Sequence, residues 1–267
     1  MKKTITIIAY NRPNEFKRML KSLVKNNLEG WDILVGLEPS NMIHQQLDLL
    51  EEFIPQANIF KRTWEVNNHR TGIARNSHDI IVKAFESGSD YNIYLEEDLV
   101  VSPDITNLAD WYYELEEDTL CLCLCNIGRV YQDLNNSNAA IIYPNPECTF
   151  CGQGTGFSSL GIVMKKDKFL NEMSPHWFHE QGWDWGVLYH IKETQQKVLI
   201  PYQTRTDHIG VFGTHVSGHQ HQKELKLGFL DVCQETIEKD DFYLSKGFYP
   251  SDSDPRKEYL YWVEDND

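Results

Sequence analysis

Three carboxylates in a row, Glu96, Glu97 and Asp98, close an apolar run that begins at Tyr91, and Pro103-Asp104 breaks the chain soon after. Adjacent carboxylates at a strand's carboxyl end repel one another and gain nothing from a core. They make sense where a divalent cation with hard oxygen preferences neutralises them. The carboxyl edge of an open α/β sheet is also where ligands bind. A metal–diphosphate site is therefore one reading, with Asp98 as the best direct ligand because its short side chain keeps the cation near the strand end. A solvated acidic turn is the other.

The elements that must hold this run are legible on either side of it. Residues 4–10 are β-branched and strand-like, and Asn11-Arg12-Pro13 ends them. The spacing predicts a helix from Asn14 with Phe16, Leu20, Leu23 and Val24 on one stripe. Residues 32–37 form a second strand ending in Glu38-Pro39-Ser40, 43–53 a second helix, and Ile59-Phe60 a short third strand. Residues 72–86 form a third helix, followed by the strand 91–95. This alternation predicts an α/β fold with a mostly parallel central sheet flanked by helices. The second half is less regular, with expected strands at 119–126, 157–164 and 197–200 and a helix at 183–193. Polar or glycine-rich loops are expected at 132–138, 152–156 and 208–221.

Composition narrows the field. The 267 residues, 41% of them hydrophobic, suit one large domain. A formal net charge of −15 argues against a nucleic-acid or anionic-membrane surface, since either needs a basic face. No apolar stretch approaches the roughly 20 residues of a membrane helix, and no signal peptide is visible, so a cytoplasmic location is expected. Cys121, Cys123 and Cys125 alternate with leucines and share one face of a strand, as buried free thiols do. Cys148 and Cys151 have the spacing of zinc knuckles and redox motifs, but no matching second pair follows.

Taken in order, Tyr10-Asn11-Arg12-Pro13, the acidic end of the second strand, the run Asn67 to Asn76 and Leu95-Glu-Glu-Asp98 resemble the GT-A glycosyltransferases. The likeness is to inverting enzymes of the N-acetylglucosaminyltransferase I type, in which Glu-Asp-Asp ends the same strand as a version of the DxD motif. It continues through Gly182-Trp-Asp-Trp-Gly186 to residue 225. Two departures stand out: the middle acidic position is Glu97 rather than Asp, and the chain shows no anchor like that of the Golgi members.

The resemblance implies a metal-dependent inverting transfer of a sugar from a nucleotide-diphosphate donor, a UDP-sugar, to a glycan or other hydroxyl. Mn²⁺ is the implied cofactor, with Mg²⁺ as the alternative. Residues 1–230 would be the catalytic domain, with 1–104 taking the nucleotide-sugar and 105–230 the acceptor, and 231–267 a C-terminal extension. Ala9, Tyr10, Asn11 and Arg12 would meet base and ribose, with Tyr10 able to stack. Glu38 would accept from uracil or ribose, or be a turn carboxylate before Pro39. Arg70, Arg75 and Asn76 surround a helix start at Gly72, where N–H groups and guanidinium charge favour a phosphate or sugar hydroxyl. For Arg75 a surface salt bridge competes. Glu96 and Glu97 would reach ribose or metal-bound water. His208, or else His215, would complete the cation's coordination from a loop whose glycines 210 and 213 permit movement. Asp184 would be the catalytic base, with Glu180 as fallback and helix capping as the competing role. Trp177, Trp183 and Trp185 would suit sugar stacking. A sugar-nucleotide pyrophosphorylase is the alternative enzyme, though Asn11-Arg12-Pro13-Asn14 lacks that class's glycines. A non-catalytic carbohydrate- or nucleotide-binding protein is the alternative outside catalysis. Nothing in the sequence sets the oligomeric state.

Overall fold

The computed structural model describes residues 1–63, 69–125, 139–142, 157–179, 182–201, 204–210, 232–242 and 244–245. The first half keeps the expected rhythm: β1 (Lys3–Ala9), α1 (Pro13–Leu23), β2 (Trp31–Leu37), α2 (Ile43–Phe53), β3 (Asn58–Lys61), α3 (His69–Glu86) and β4 (Tyr91–Glu96). Pro13 opens α1, where a missing N–H costs nothing and the fixed φ suits a first turn. Phe16, Met19, Leu20 and Leu23 then form its buried stripe. Leu20 alone, fully buried, contributes about 1.5–3 kcal/mol.

After β4 come β5 (Leu99–Val101), α4 (Ile105–Glu114), β6 (Leu122–Cys123), β7 (Ala139–Ile142) and β8 (Ile162–Lys165). A short helical run follows: α5 (Lys166–Lys168), a π-turn at Phe169–Met173 and a 3₁₀ turn at Ser174–His176. Then come α6 (Trp183–Thr194), β9 (Val198–Pro201), β10 (Thr206–His208), a 3₁₀ turn at Lys239–Asp241 and β11 (Leu244–Ser245). Nine strands form one sheet in the order β11-β7-β9-β6-β8-β4-β1-β2-β3, and β10 pairs with β5 in a separate ribbon. From β4 to β3 every pairing is parallel. The β4–β8, β6–β8 and β7–β9 pairings are antiparallel.

The two sheet faces have separate cores. Ile5, Ile7 and Ala9 of β1 face α1, α2 and α4, with Leu49, Leu108 and Tyr112 in the same cluster. Ile8 faces α3 and α6 on the other side, among Ile80, Ile81, Phe85, Val187 and Ile191. Period-2 alternation along β1 therefore decides which helices cover which face.

Four expectations change. Helix α4 was not anticipated, although Ile105, Leu108, Ala109 and Tyr112 carry helical spacing and are all buried. The strand expected at 119–126 is regular only at Leu122–Cys123, and that at 157–164 begins only at Ile162. The loop expected after residue 200 includes a strand, β10, paired antiparallel to β5. Within the expected C-terminal extension, Phe242 joins the core and β11 pairs with β7. Cys121, Cys123, Cys125 and Cys233 are buried and free, as expected for the first three. Cys148 and Cys151 lie outside the described residues. Among the described residues no helix is long and apolar enough to cross a membrane.

Candidate active site

The chain runs β1, β2, β3 outward in one direction and then returns to place β4 on the other side of β1. That reversal opens a crevice beyond the carboxyl ends of β1 and β4, where α/β sheets take their ligands. Ile8 pairs with Glu96 in register, so the loop Tyr10–Asn11–Arg12 and the acidic run leave the sheet side by side.

Glu97 joins the two. Its carboxylate accepts the backbone N–H groups of Tyr10 (3.0 Å), Asn11 (3.3 Å) and Arg12 (3.3 Å), and the side-chain amide of Gln46 from α2 (2.9 Å). Burial pushes its pKa up to about 7, with the Tyr10 N–H opposing and the Asp98 charge adding. A carboxylate so engaged tethers the loop to the acidic run. Gln46 went unnoticed in the sequence, though a polar residue within the buried stripe of α2 is the signal that could have found it.

Asp98 is the focus of charge. Arg12 ion-pairs with its Oδ2, and His208 Nε2 lies 3.1 Å from the same oxygen, 110 residues along the chain. Oδ1 is buried with no hydrogen-bond partner. Burial pulls the Asp98 carboxyl up, but the hydrogen bond and charge of His208 and the charge of Arg12 outweigh it and hold it below the usual carboxylate range. A Cβ on Gly210 would collide with Asp98 Oδ2 and stand only 2.6 Å from Arg12 Nη1 and 2.9 Å from His208 Nε2. The glycine keeps this corner open, a role distinct from the mobility expected of it. Glu96 is half-buried and accepts the Tyr94 hydroxyl at 2.9 Å. Desolvation first, then Asp98 and Asp184, raise it to about 7.

An orphaned carboxylate oxygen and an imidazole nitrogen make a donor set that suits a divalent ion of the Mn²⁺ kind. Such an ion would draw its other ligands from phosphate and water. Among the described residues no three His, Cys, Asp or Glu side chains are grouped to hold a metal by themselves. His215 lies outside the described residues.

Farther along the edge, Glu38 is 1% exposed with Oε2 unpartnered, and burial raises its pKa to about 7 against the Asn76 hydrogen bond. Its burial contradicts a solvated turn carboxylate. Asn76, expected at the ligand, is fully buried behind it. Its amide donates to Gly36 O at 2.9 Å and Glu38 Oε1 at 3.4 Å, and its carbonyl accepts from Arg62 Nε at 2.8 Å. A Cβ at Gly36 would clash with this amide. Asn76 thus braces α3 against β2. Gly72 is buried in the first turns of α3, and Arg75 is exposed one turn on. Arg70 lies in the same turns of α3, with its side chain outside the described set, and Glu180 is outside it entirely.

Across the crevice, Asp184 stands in the first turn of α6. Gly182 is the N-cap residue, and the Asp184 carboxyl is met by the N–H groups of its own residue and of Trp185, as a capping role would have it. Ser159 donates its hydroxyl to Asp184 Oδ2 at 3.3 Å. Burial raises the carboxyl above its ordinary value against the pull of those N–H groups, and its charge is felt at Glu96. The structure thus brings Asp184 towards the acidic run. The tryptophans divide. Trp177 and Trp183 stack on one another at 4.1 Å and are buried, so neither is a sugar platform, whereas Trp185 is 42% exposed.

No protein-family model matches the chain. The fold is that of solved GT-A nucleotide-sugar glycosyltransferases. S. aureus TarS 1–349 in complex with UDP-GlcNAc superposes with a TM-score of 0.55 and 16% identity, covering 85% of this chain and 65% of that one. A longer S. aureus TarS structure gives 0.54 and 13%, covering 85% and 39%. The mannosyltransferase PcManGT from Pyrobaculum calidifontis, in complex with GDP-Man and Mn²⁺, gives 0.50 and 11%, covering 84% and 61%. The chain spans less than two thirds of the length of each of these structures.

Proposed function

We propose that the chain is a metal-dependent inverting glycosyltransferase that moves a sugar from a UDP-sugar to a hydroxyl acceptor such as a glycan. The observation that carries this reading is the meeting of Asp98 and His208 at the mouth of the β1–β4 crevice. The orphaned Asp98 Oδ1 lies beside it, and at Gly210 only a glycine lets the backbone come so close. TarS with UDP-GlcNAc and PcManGT with GDP-Man and Mn²⁺ share the fold, which supports a nucleotide-sugar in that crevice.

The residues divide the work. Glu97 holds the Tyr10–Arg12 loop in shape to receive base and ribose, and buried Glu38 offers a free acceptor lone pair farther along the same edge. Asp98 and His208 would hold the divalent cation, which when bound supplies positive charge for the diphosphate leaving group. Arg12, paired with Asp98, would turn its guanidinium to the same phosphates. Asp184 would take the proton of the acceptor hydroxyl while that oxygen bonds to the anomeric carbon and the bond to UDP breaks. Its desolvated surroundings make it a stronger base than an exposed aspartate.

The Arg12–Asp98 pair favours a second reading, in which the guanidinium alone supplies the charge and no metal is needed. UDP release from UDP-sugars, measured with Mn²⁺ and with chelator, separates the two. Release that requires Mn²⁺ supports the first reading, equal release in chelator the second, and no release from any nucleotide-sugar would sink both.

A further inference from the structure

We propose that the buried Arg205–Asp104 ion pair is a positioning pair, holding β10 in the register that brings His208 to Asp98. The inference rests on reading Asp98 and His208 as cation ligands.

Arg205 and Asp104 side chains are 1% and 0% exposed. Arg205 Nε lies 3.2 Å from both Asp104 oxygens and Nη2 lies 3.1 Å from Oδ2, a forked contact to which Ser102 adds its hydroxyl. A buried ion pair is weak ground for stability, because desolvation offsets most of its attraction. Asp104 is also diverted from an easier task. It is the N-cap residue of α4, where an Asp side chain ordinarily accepts a first-turn N–H, yet it makes no such bond. Asn26 takes over, accepting the Thr106 N–H at 3.4 Å and donating to Ser102 O at 2.9 Å. The carboxylate is thereby reserved for Arg205.

What the pair fixes is register. The β5–β10 ribbon has three residue pairs, Leu99 with His208, Val100 with Asp207 and Val101 with Thr206. So short a two-stranded ribbon specifies its own alignment poorly. A slip of one residue would turn His208 to the other face and present Asp207, an anion, in its place. Next to Arg205, Ser102 N–H donates to Arg205 O at 2.9 Å. At the far end Ile209 N–H donates to Asp98 O at 2.9 Å. The ion pair pins one end of the ribbon, and the ladder carries that alignment to the cation corner. Thr206 extends the brace across the crevice, donating its hydroxyl to Leu160 O at 2.6 Å, next to the Ser159 that meets Asp184.

The test replaces the whole pair by apolar groups, Arg205→Met with Asp104→Leu, so that no charge is left stranded. Melting temperature, amide exchange at Ser102 and Ile209, and Mn²⁺ affinity by electron paramagnetic resonance are read together. The expected result is a melting temperature within about 4 °C of wild type, with exchange at Ile209 faster by at least about tenfold. Mn²⁺ binding should be weaker by at least about tenfold. A folded double variant with wild-type exchange at Ile209 overturns the proposal, whatever its Mn²⁺ affinity. If the wild-type chain itself takes no Mn²⁺, the cation reading fails, and faster exchange at Ile209 in the variant still establishes the pair as what holds the ribbon. Should the double variant not fold, Arg205→Lys, which keeps the charge but loses the fork, is judged by the same exchange measurement. Loss of protection there supports the proposal and full protection overturns it.

Discussion

The half of the sheet made by β3, β2, β1 and β4 and the half made by β8, β6, β9, β7 and β11 reach the same crevice by different means. In the first, parallel strands alternate with helices, and each loop at the carboxyl edge is delivered by the strand just before it. In the second, the strands run both ways, and the segments around them, the β5–β10 ribbon included, are held by polar tethers between distant positions. These are His208 to Asp98, Arg205 to Asp104 and Ser159 to Asp184. Local periodicity is enough to build a binding edge. Setting Asp184 and His208 opposite that edge takes long-range hydrogen bonds.

That contrast breaks most sharply at Asp184. Asp184→Asn removes the base while leaving the parallel half intact. Turnover should fall by about 10²-fold or more with UDP affinity near wild type, read by kcat and by calorimetry. Because burial raises this carboxyl, the acid limb of the wild-type kcat profile should sit above the ordinary aspartate range and vanish in the variant. Near-normal turnover would leave Asp184 a structural residue of α6.

The next largest effect belongs to Glu97, the tether within the parallel half. Glu97→Gln sets an amide N–H against N–H donors of the loop, at a cost of about 1–3 kcal/mol. Chemical denaturation should show the loss and UDP binding should weaken, while the Mn²⁺ concentration needed for half-maximal activity stays put. A shift in that requirement would make Glu97 a cation ligand after all.

At the junction of the halves, Asp98→Asn keeps the shape and removes the anion, and His208→Ala removes the partner from the mixed half. Each should weaken Mn²⁺-dependent UDP binding by at least about tenfold. If only Asp98→Asn does so, the mixed half contributes no ligand.

The smallest effect tests Glu38. Its folded-state pKa, about 7, lies above the unfolded value of 4.5, so the folded chain binds the proton more tightly. The penalty for the buried anion is therefore present in full above pH 7 and relieved as pH falls toward 4.5. Glu38→Gln should raise the melting temperature at pH 8 by about 2–4 °C for each kcal/mol relieved, with no gain near pH 4. A gain that is the same at both pH values would assign the effect to packing.

The same contrast sets what could be read in advance. Strands β1, β2 and β4 and helices α1 to α3 were legible because β-branched runs and apolar stripes are local. Helix α4 was missed despite the same signal, because Pro103-Asp104 drew attention as a break rather than as a helix start. Asp98, His208 and Asp184 were singled out through their chemistry. The partners of Glu97 and Asn76 were not legible, because Gln46 and Gly36 lie 51 and 40 residues away. The tryptophans show the limit of composition: Trp183 and Trp185 are two residues apart, one in the core and the other at the surface.

The β5–β10 ribbon also imposes an order of events on folding. Asp98 and its neighbours are synthesised 110 residues before His208, and a closure of that length is slow to form and gains nothing until its last contacts are made. On a ribosome the β1–β4 sheet can assemble while its acidic corner waits for an imidazole still to be translated. Pulsed amide labelling during refolding should then find Ile209 protected after Ile5 and Ile7. A sheet that forms early therefore holds Asp98 against Arg12 before the late strand brings His208 to the same oxygen.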